Sequence, residues 1–175
     1  MLFQKTKLPG VVELSLEPHV DQRGFFARTW CQNEFAAHGL NPKLVQCSIS
    51  FNQRKGTLRG VHFQAEPFAE AKLVRCTRGW IYDVVVDLRR SSPTFKQWVA
   101  ADLTSTNRKA LYVPEGCAHG FLTLEDETEV LYQMSEFFNA ESAGGVRWDD
   151  PAFQIVWPDK VQVISPKDCE YPNFE

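Results

Sequence analysis

The chain has 175 residues, of which 43% are hydrophobic and 23% charged, with a formal net charge of −3. This is the make-up of one ordinary water-soluble domain, residues 1–175, with room for a sizeable core. The slightly acidic balance argues against broad recruitment of nucleic acid, and no run of about eighteen apolar residues offers a helical membrane span. Met1–Gly10 lacks the apolar core of a signal peptide. The cysteines, at 31, 47, 76, 117 and 169, are odd in number and never spaced Cys-x-x-Cys. They read as free thiols of a cytoplasmic protein, not as a disulfide frame or a zinc cage.

In chain order, Val11–Leu16 has a short strand pattern ended by Pro18, and Asp21-Gln22-Arg23-Gly24 is a turn. Phe25–Trp30 is a second strand. Asn33–Gly39 has a polar start and a glycine stop, and is the best helix in the chain. From Leu44 the signals are nearly all β. Strands are expected at Leu44–Phe51, Leu58–Gln64, Lys72–Cys76, Trp80–Leu88 and Phe95–Leu103, with turns at Gly56, Pro67, Gly79 and Pro93. Val84-Val85-Val86 has the continuous apolar character of a strand buried on both faces. Ala110–Val113, Phe121–Leu124, Val130–Ser135 and Gln154–Trp157 complete the strands; 139–153 reads as a long loop and 158–175 as a polar tail. Many short strands with frequent turns predict an all-β sandwich or barrel with one or a few short helices.

Chemistry concentrates in residues 56–72, which hold Arg59, His62, Gln64 and Lys72. Histidine exchanges a proton near neutral pH, arginine is a forked donor and lysine a point charge suited to an oxyanion. Strict alternation puts His62 and Gln64 on one face of a strand and Arg59 on the other. For Arg59 and His62 to share a site, a bulge near Gly60 or a strand end must re-aim one of them.

The spacings Gly56-x5-His62 and Pro114-x-Gly116-x2-His119 resemble the two motifs of the cupin superfamily. Metal cupins carry His-x-His in the first motif. Here Gln64 takes the second place, and Glu66 or Glu70 is a poor substitute, so a metal site lacks its usual ligands. Arg23-Gly24-x-Phe26, Gly56-x-Leu58-Arg59-Gly60-x-His62-x-Gln64, Lys72-Leu73-Val74, Asp83-Val84-x-Val86-Asp87-Leu88-Arg89, Ser92-Pro93-Thr94, Pro114-x-Gly116-x-Ala118-His119-Gly120-Phe121, Glu129-Val130-x-Tyr132 and Trp148-x-Asp150-Pro151 follow one another. Together they resemble the dTDP-4-dehydrorhamnose 3,5-epimerase family from about residue 8 to 172. The resemblance implies a cupin-type jelly roll (double-stranded β-helix), no metal, no cofactor, a homodimer, and a nucleotide-diphosphate 4-keto-6-deoxyhexose as substrate.

It also implies roles. His62 is the base, oriented by Asp168; Tyr132 is the acid on the opposite face; Lys72 stabilises the enolate. His119 is a site histidine, and Arg59 and Arg23 contact substrate, Arg23 from the partner subunit. Gln46, Ser48, Gln64, Phe138, Lys167 and Arg28 fall at positions assigned to substrate binding. These assignments suit epimerisation beside a ketone, which needs a base and an acid on opposite ring faces and a cation at the developing oxyanion. Asp83 and Asp87 read as structural partners of strand ends.

Departures from the family gather on the nucleotide side. Arg28 stands where the family has glutamate, Gln46-Cys47-Ser48 replaces Gln-Asp-Asn, Ala143 replaces a glutamate, and Phe137-Phe138 replaces a tyrosine pair. Either the enzyme uses a CDP-, GDP- or UDP-sugar, which the charge reversal at Arg28 favours slightly, or it holds dTDP-sugars through altered contacts. Loss of the second tyrosine leaves inversion at C3, C5 or both open. The rival functions are a nucleotide-sugar binding protein without catalysis, which needs no base opposite an acid, and a metal-dependent cupin enzyme.

Overall fold

The computed structural model describes residues 1–175. Its strands are β1 (Leu2–Lys5), β2 (Val12–Ser15), β3 (His19–Asp21), β4 (Gly24–Phe26), β5 (Gln46–Asn52), β6 (Leu58–Gln64), β7 (Lys72–Arg78), β8 (Trp80–Asp87), β9 (Trp98–Thr104), β10 (Ala110–Val113), β11 (Cys117–Thr123), β12 (Thr128–Met134) and β13 (Ala143–Gly145). Two short helices, α1 (Gln32–Ala37) and α2 (Pro166–Cys169), complete the elements. The strands form a six-stranded sheet, β1-β2-β10-β7-β12-β5, a five-stranded sheet, β13-β6-β11-β8-β9, and the separate hairpin β3-β4. Neighbours distant in sequence, with antiparallel pairing throughout, make this the expected jelly roll. No helix is long and apolar enough to cross a membrane.

The core lies between the sheets, where Val74, Leu111 and Val130 meet Ile81, Val85, Leu103 and Phe121. The outer face of the five-stranded sheet is covered as well. Val61, Val84, Val86 and Ala118 pack beneath Val146 and Phe153 of the C-terminal segment. Val85 therefore points to one core and its neighbours to another, which is why residues 84–86 are apolar without alternation. The outer face of the six-stranded sheet is capped by Phe35 and Leu40, at and after α1.

Sequence and structure part at several places, among them β3, where no strand pattern was read, and β11, which starts at Cys117 rather than Phe121. β1 pairs with β2, although Leu-Phe-Gln-Lys is too short to announce a strand. The strand expected over Phe25–Trp30 ends at Phe26, where the hairpin partner β3 runs out. β13 carries almost no β-propensity in Ala-Gly-Gly and exists because it pairs with β6. Gln154–Trp157 is not a strand; Ile155 and Trp157 pack onto the sheet through their side chains. The polar tail holds α2, whose Ser165 caps the turn by accepting from the Asp168 N–H at 3.1 Å, with Pro166 at its first position.

The β6–β11 pairing shifts register between His119↔His62 and Phe121↔Arg59, placing one extra residue on β6 at the glycine. Gly60 has φ +133°, and a Cβ there would stand 2.5 Å from the Gly120 Cα. This is the bulge that a shared site for Arg59 and His62 demanded. The close approach requires a residue without a side chain.

Asp87, as expected, is structural. Its carboxylate accepts from Arg89 Nε at 2.8 Å, Ser92 Oγ at 2.6 Å and Thr94 Oγ1 at 2.7 Å, holding the turn after β8. Burial acts to raise this carboxyl, but the donors outweigh burial and hold it well below the usual range. A carboxyl depressed on folding stabilises the fold above its unfolded value of about 4, and that contribution fades as the pH falls below about 4. Asp87→Asn should therefore lower the urea midpoint at pH 7, with a gap to the parent chain that narrows towards pH 3. An equal gap at both pH values would show that the charge is not what Asp87 contributes.

Candidate active site

A cavity of about 770 Å³ opens between the two sheets and the C-terminal segment. From the five-stranded sheet come Arg59, His62 and Gln64 on β6 and His119 on β11. The six-stranded sheet supplies Gln46, Ser48 and Ser50 on β5, Lys72 on β7 and Tyr132 on β12. Lys167 and Asp168 enter from α2. The two histidines stand side by side in register across β6 and β11. Tyr132 and Lys72 come from the opposing sheet.

His62 Nε2 lies 2.6 Å from Asp168 Oδ1. Asp168 is buried, its side chain 6% exposed, and its other oxygen accepts from the Gly60 N–H at 3.3 Å. Burial pushes this carboxyl up, but His62, the Gly60 amide and Ser165 together bring it below its ordinary value. An ionised carboxylate only accepts, so Nε2 carries the hydrogen and Nδ1 presents a lone pair. The imidazole itself is 39% exposed, open on the cavity side and oriented from behind.

His119 makes a second pair, its Nε2 2.7 Å from Asp83 Oδ1, and this one is sealed, the side chains being 4% and 0% exposed. Burial pushes the Asp83 carboxyl up, against the pull of His119 and Lys72. Its Oδ2 is buried without a donor. The reading of Asp83 as a strand-end partner is therefore corrected. It sits within β8 beneath His119, because a buried carboxyl in an apolar run needs a partner and the facing strand supplies one. The His119 ring lies edge-on to Tyr132, centroids 6.0 Å apart. Burial, and then the charge of Asp83, push the Tyr132 phenol well up, so it stays protonated at neutral pH and can donate.

Lys72 is held by Glu70 at 3.1 Å, with the two side chains 12% and 10% exposed. Arg59 Nε donates to Asn52 Oδ1 at 2.7 Å, which fixes the guanidinium and leaves further N–H groups of the fork for an anion. Gln64 borders the cavity, yet its amide is engaged elsewhere. Its nitrogen donates to the Phe68 carbonyl at 2.8 Å, and its oxygen accepts from the Asn139 N–H at 2.7 Å. It ties two loops together, so a direct hold on substrate through this amide is not what the structure shows. Phe138 lies at the rim, its N–H donating to Gln46 Oε1 at 3.2 Å.

Arg23 and Arg28 do not line this cavity. Arg23 pairs with Asp21 at 2.6 Å on the hairpin turn, its side chain 86% exposed. Arg28 pairs with Glu34 at 2.8 Å. No three His, Cys, Asp or Glu side chains converge as a metal-binding set. Glu70, Ser50 and Tyr171 join the lining without having been singled out as site residues from the sequence. Asp83 carried a signal there, a charge inside an apolar strand, and Glu70 was weighed only as a poor metal ligand.

A family model described as dTDP-4-dehydrorhamnose 3,5-epimerase matches residues 5–175. The protein of that name from Shigella flexneri is 43% identical over 97% of this chain and 94% of its own. The crystal structure of the Elizabethkingia anophelis protein superposes with a TM-score of 0.96 at 36% identity, covering 99% of this chain and 96% of that one. The Bacillus anthracis structure, with TDP and pyrophosphate bound, gives 0.94 at 38% identity over 99% of both chains. The match runs through both sheets and the C-terminal segment, the three parts that build the cavity, and the chain belongs to the dTDP-4-dehydrorhamnose 3,5-epimerase family.

Proposed function

We propose that the chain inverts C3 and C5 of a thymidine-diphosphate-linked 4-keto-6-deoxyhexose through enolate intermediates. The observation that carries this reading is the placement of His62 and Tyr132 on facing sheets across one cavity. A ring lying between the sheets has a base on one face and an acid on the other.

In the first half of each inversion, Nδ1 of His62 removes the hydrogen next to the ketone. The C–H electron pair becomes the new C=C bond, and the carbonyl pair moves to oxygen. Lys72 stabilises that oxyanion electrostatically, and a preorganised donor of this kind is worth about 10²–10³ in rate. In the second half the enolate collapses, and its carbon takes the Tyr132 hydroxyl proton on the opposite face. The tyrosinate is reprotonated from water, and His62 gives up its proton to water, so each centre inverts without net change in protons. Asp168 keeps the imidazole in the tautomer that can accept and stabilises its charged form. Arg59 and Lys167 suit the diphosphate.

A thymidine nucleotide is supported by the relatives, which carry that nucleotide in their names at about 42% identity, and by the TDP in the Bacillus anthracis structure. The charge reversal at Arg28 loses its weight as a sign of another base, since Glu34 satisfies that guanidinium locally. A homodimer is supported by exposed apolar side chains on the separate hairpin, Val20 at 76% and Phe26 at 77%, and on the edge strand β5, Ile49 at 62%.

Incubation in D2O with dTDP-4-keto-6-deoxyglucose, followed by NMR, should place deuterium at both C3 and C5. His62→Ala should slow both exchanges by about 10³-fold, within the range of general base catalysis. Tyr132→Phe should block inversion while retaining part of the exchange, because the carbanion can be reprotonated on its original face. Exchange at near-parent rate in His62→Ala would remove it as the base, and deuterium at one carbon only would make the enzyme a single-centre epimerase. Calorimetric titration with dTDP, CDP, GDP and UDP should rank dTDP tightest by about 10-fold or more, a difference of about 1.4 kcal/mol; equal or better binding of CDP, GDP or UDP would replace thymidine. Light scattering at micromolar concentration should report twice the 20.0 kDa chain mass, and a monomer would contradict the dimer.

A further inference from the structure

Residues 163–174 strap the mouth of the cavity and are pinned on both sides. Leu58 donates its N–H to the Val163 carbonyl at 2.8 Å. At the far side the Phe174 N–H donates to Asp150 Oδ2 at 2.6 Å, and its ring lies 5.2 Å from that of Phe153. Between the two pins the strap presents Asp168 and, three residues on, Tyr171. Tyr171 lines the cavity, and its ring stands edge-on to the His62 imidazole, centroids 6.2 Å apart and planes at 65°. That separation is within contact range for aromatic pairs.

The seat of this ring is made by a missing side chain. Gly145, on β13, pairs directly with His62 on β6. A Cβ on Gly145 would lie 2.4 Å from two carbons of the Tyr171 ring and 2.8 Å from its hydroxyl oxygen. The ring therefore lies against the Gly145 backbone, and no other residue leaves that space free. Gly145 has an ordinary φ, so no left-handed conformation calls for glycine; the ring does. Asp168 orients the imidazole through one nitrogen, and Tyr171 closes on its edge.

We propose that Tyr171 is a positioning residue for His62. Its ring, seated on Gly145, holds the imidazole in line with Asp168 and shields the pair from bulk water. The proposal rests on His62 being the base. Tyr171 does no chemistry itself, and its ring, not its hydroxyl, is the working part.

The test uses the full chain with Tyr171→Ala, Tyr171→Phe, Gly145→Ala and the Tyr171→Ala/Gly145→Ala double variant. Misplacing a catalytic group costs up to about 10²-fold in rate. Tyr171→Ala should lower kcat about 10-fold with KM within about 2-fold, and Tyr171→Phe should restore kcat. Gly145→Ala should lower kcat in the parent chain, because it unseats the ring, and add nothing in the Tyr171→Ala background. In the ligand-free protein, the downfield proton resonance of the His62 ring N–H bonded to Asp168 should exchange with water at least about 10-fold faster in Tyr171→Ala. This readout needs no substrate, so it decides the packing claim even if the reaction has been misassigned. Unchanged kcat and N–H exchange in Tyr171→Ala, with only a lower melting temperature, would overturn the proposal. A Gly145→Ala penalty equal in both backgrounds would do the same.

Discussion

Between Arg59 and His62 the backbone of β6 runs against Gly120 so closely that neither strand tolerates a side chain. A Cβ on Gly120 would sit 2.9 Å from the Arg59 carbonyl oxygen and 3.0 Å from the Gly60 Cα. The placing of Arg59 and His62 follows from this contact. A regular strand would divide Arg59 and His62 between the two faces. The extra residue restores them to one cavity while Val61 goes down into the outer core at 0% exposure. The bulge also aims the Gly60 N–H at Asp168, so the distortion that turns His62 towards the cavity supplies a donor to its carboxylate partner.

The two histidine–aspartate pairs use the same chemistry in opposite surroundings. His62–Asp168 is open on one side and its carboxyl is held down; His119–Asp83 is closed and its carboxyl is pushed up. Groups of one kind whose environments push them apart mark a division of labour. The open pair has a free nitrogen and access to a ligand, the needs of a base. The closed pair lies where water does not reach, beside the Tyr132 ring, with Asp83 within the influence of Lys72. That pair contributes to the field around Tyr132 and Lys72. The negative charge of Asp83 raises Tyr132, while Lys72 draws Asp83 down, so these three groups cannot be tuned independently.

Much of this was legible in the sequence because the strands alternate and the turns are marked. The need for a bulge near Gly60, or a strand end, followed from placing Arg59 and His62, three positions apart in a strand, in one site, and the structure has the bulge at Gly60. The cavity residues His62, Lys72, His119, Tyr132 and Asp168 were named from motif order, and the fold gathers all five. Features carried by three or four residues were not legible. β13 is stabilised by its pairing with β6, not by Ala-Gly-Gly, and α2 is a single capped turn with no period to detect. Asp83 was misplaced because local sequence does not reveal that His119, 36 residues away, lands opposite it. Gln64 looked like a binding residue for the opposite reason. A polar side chain two residues from His62 invites a ligand, and the structure gives it two loops instead.

The assembly divides its work by rigidity. His62, Tyr132 and Lys72 are sheet residues, on strands whose ladders run through a shared core. The carboxylate that orients His62 comes from a segment with one turn of helix and few backbone hydrogen bonds to the sheets. A short strap holds position only where its groups seat in shaped sites, and this one has them at Gly60 and Gly145 for side chains and at Asp150 for the Phe174 N–H. Two of those sites are glycines of β6 and β13. Their role is to admit the strap's polar and aromatic groups next to the histidine on the same sheet edge. These two glycines are thus the places where His62 meets Asp168 and Tyr171.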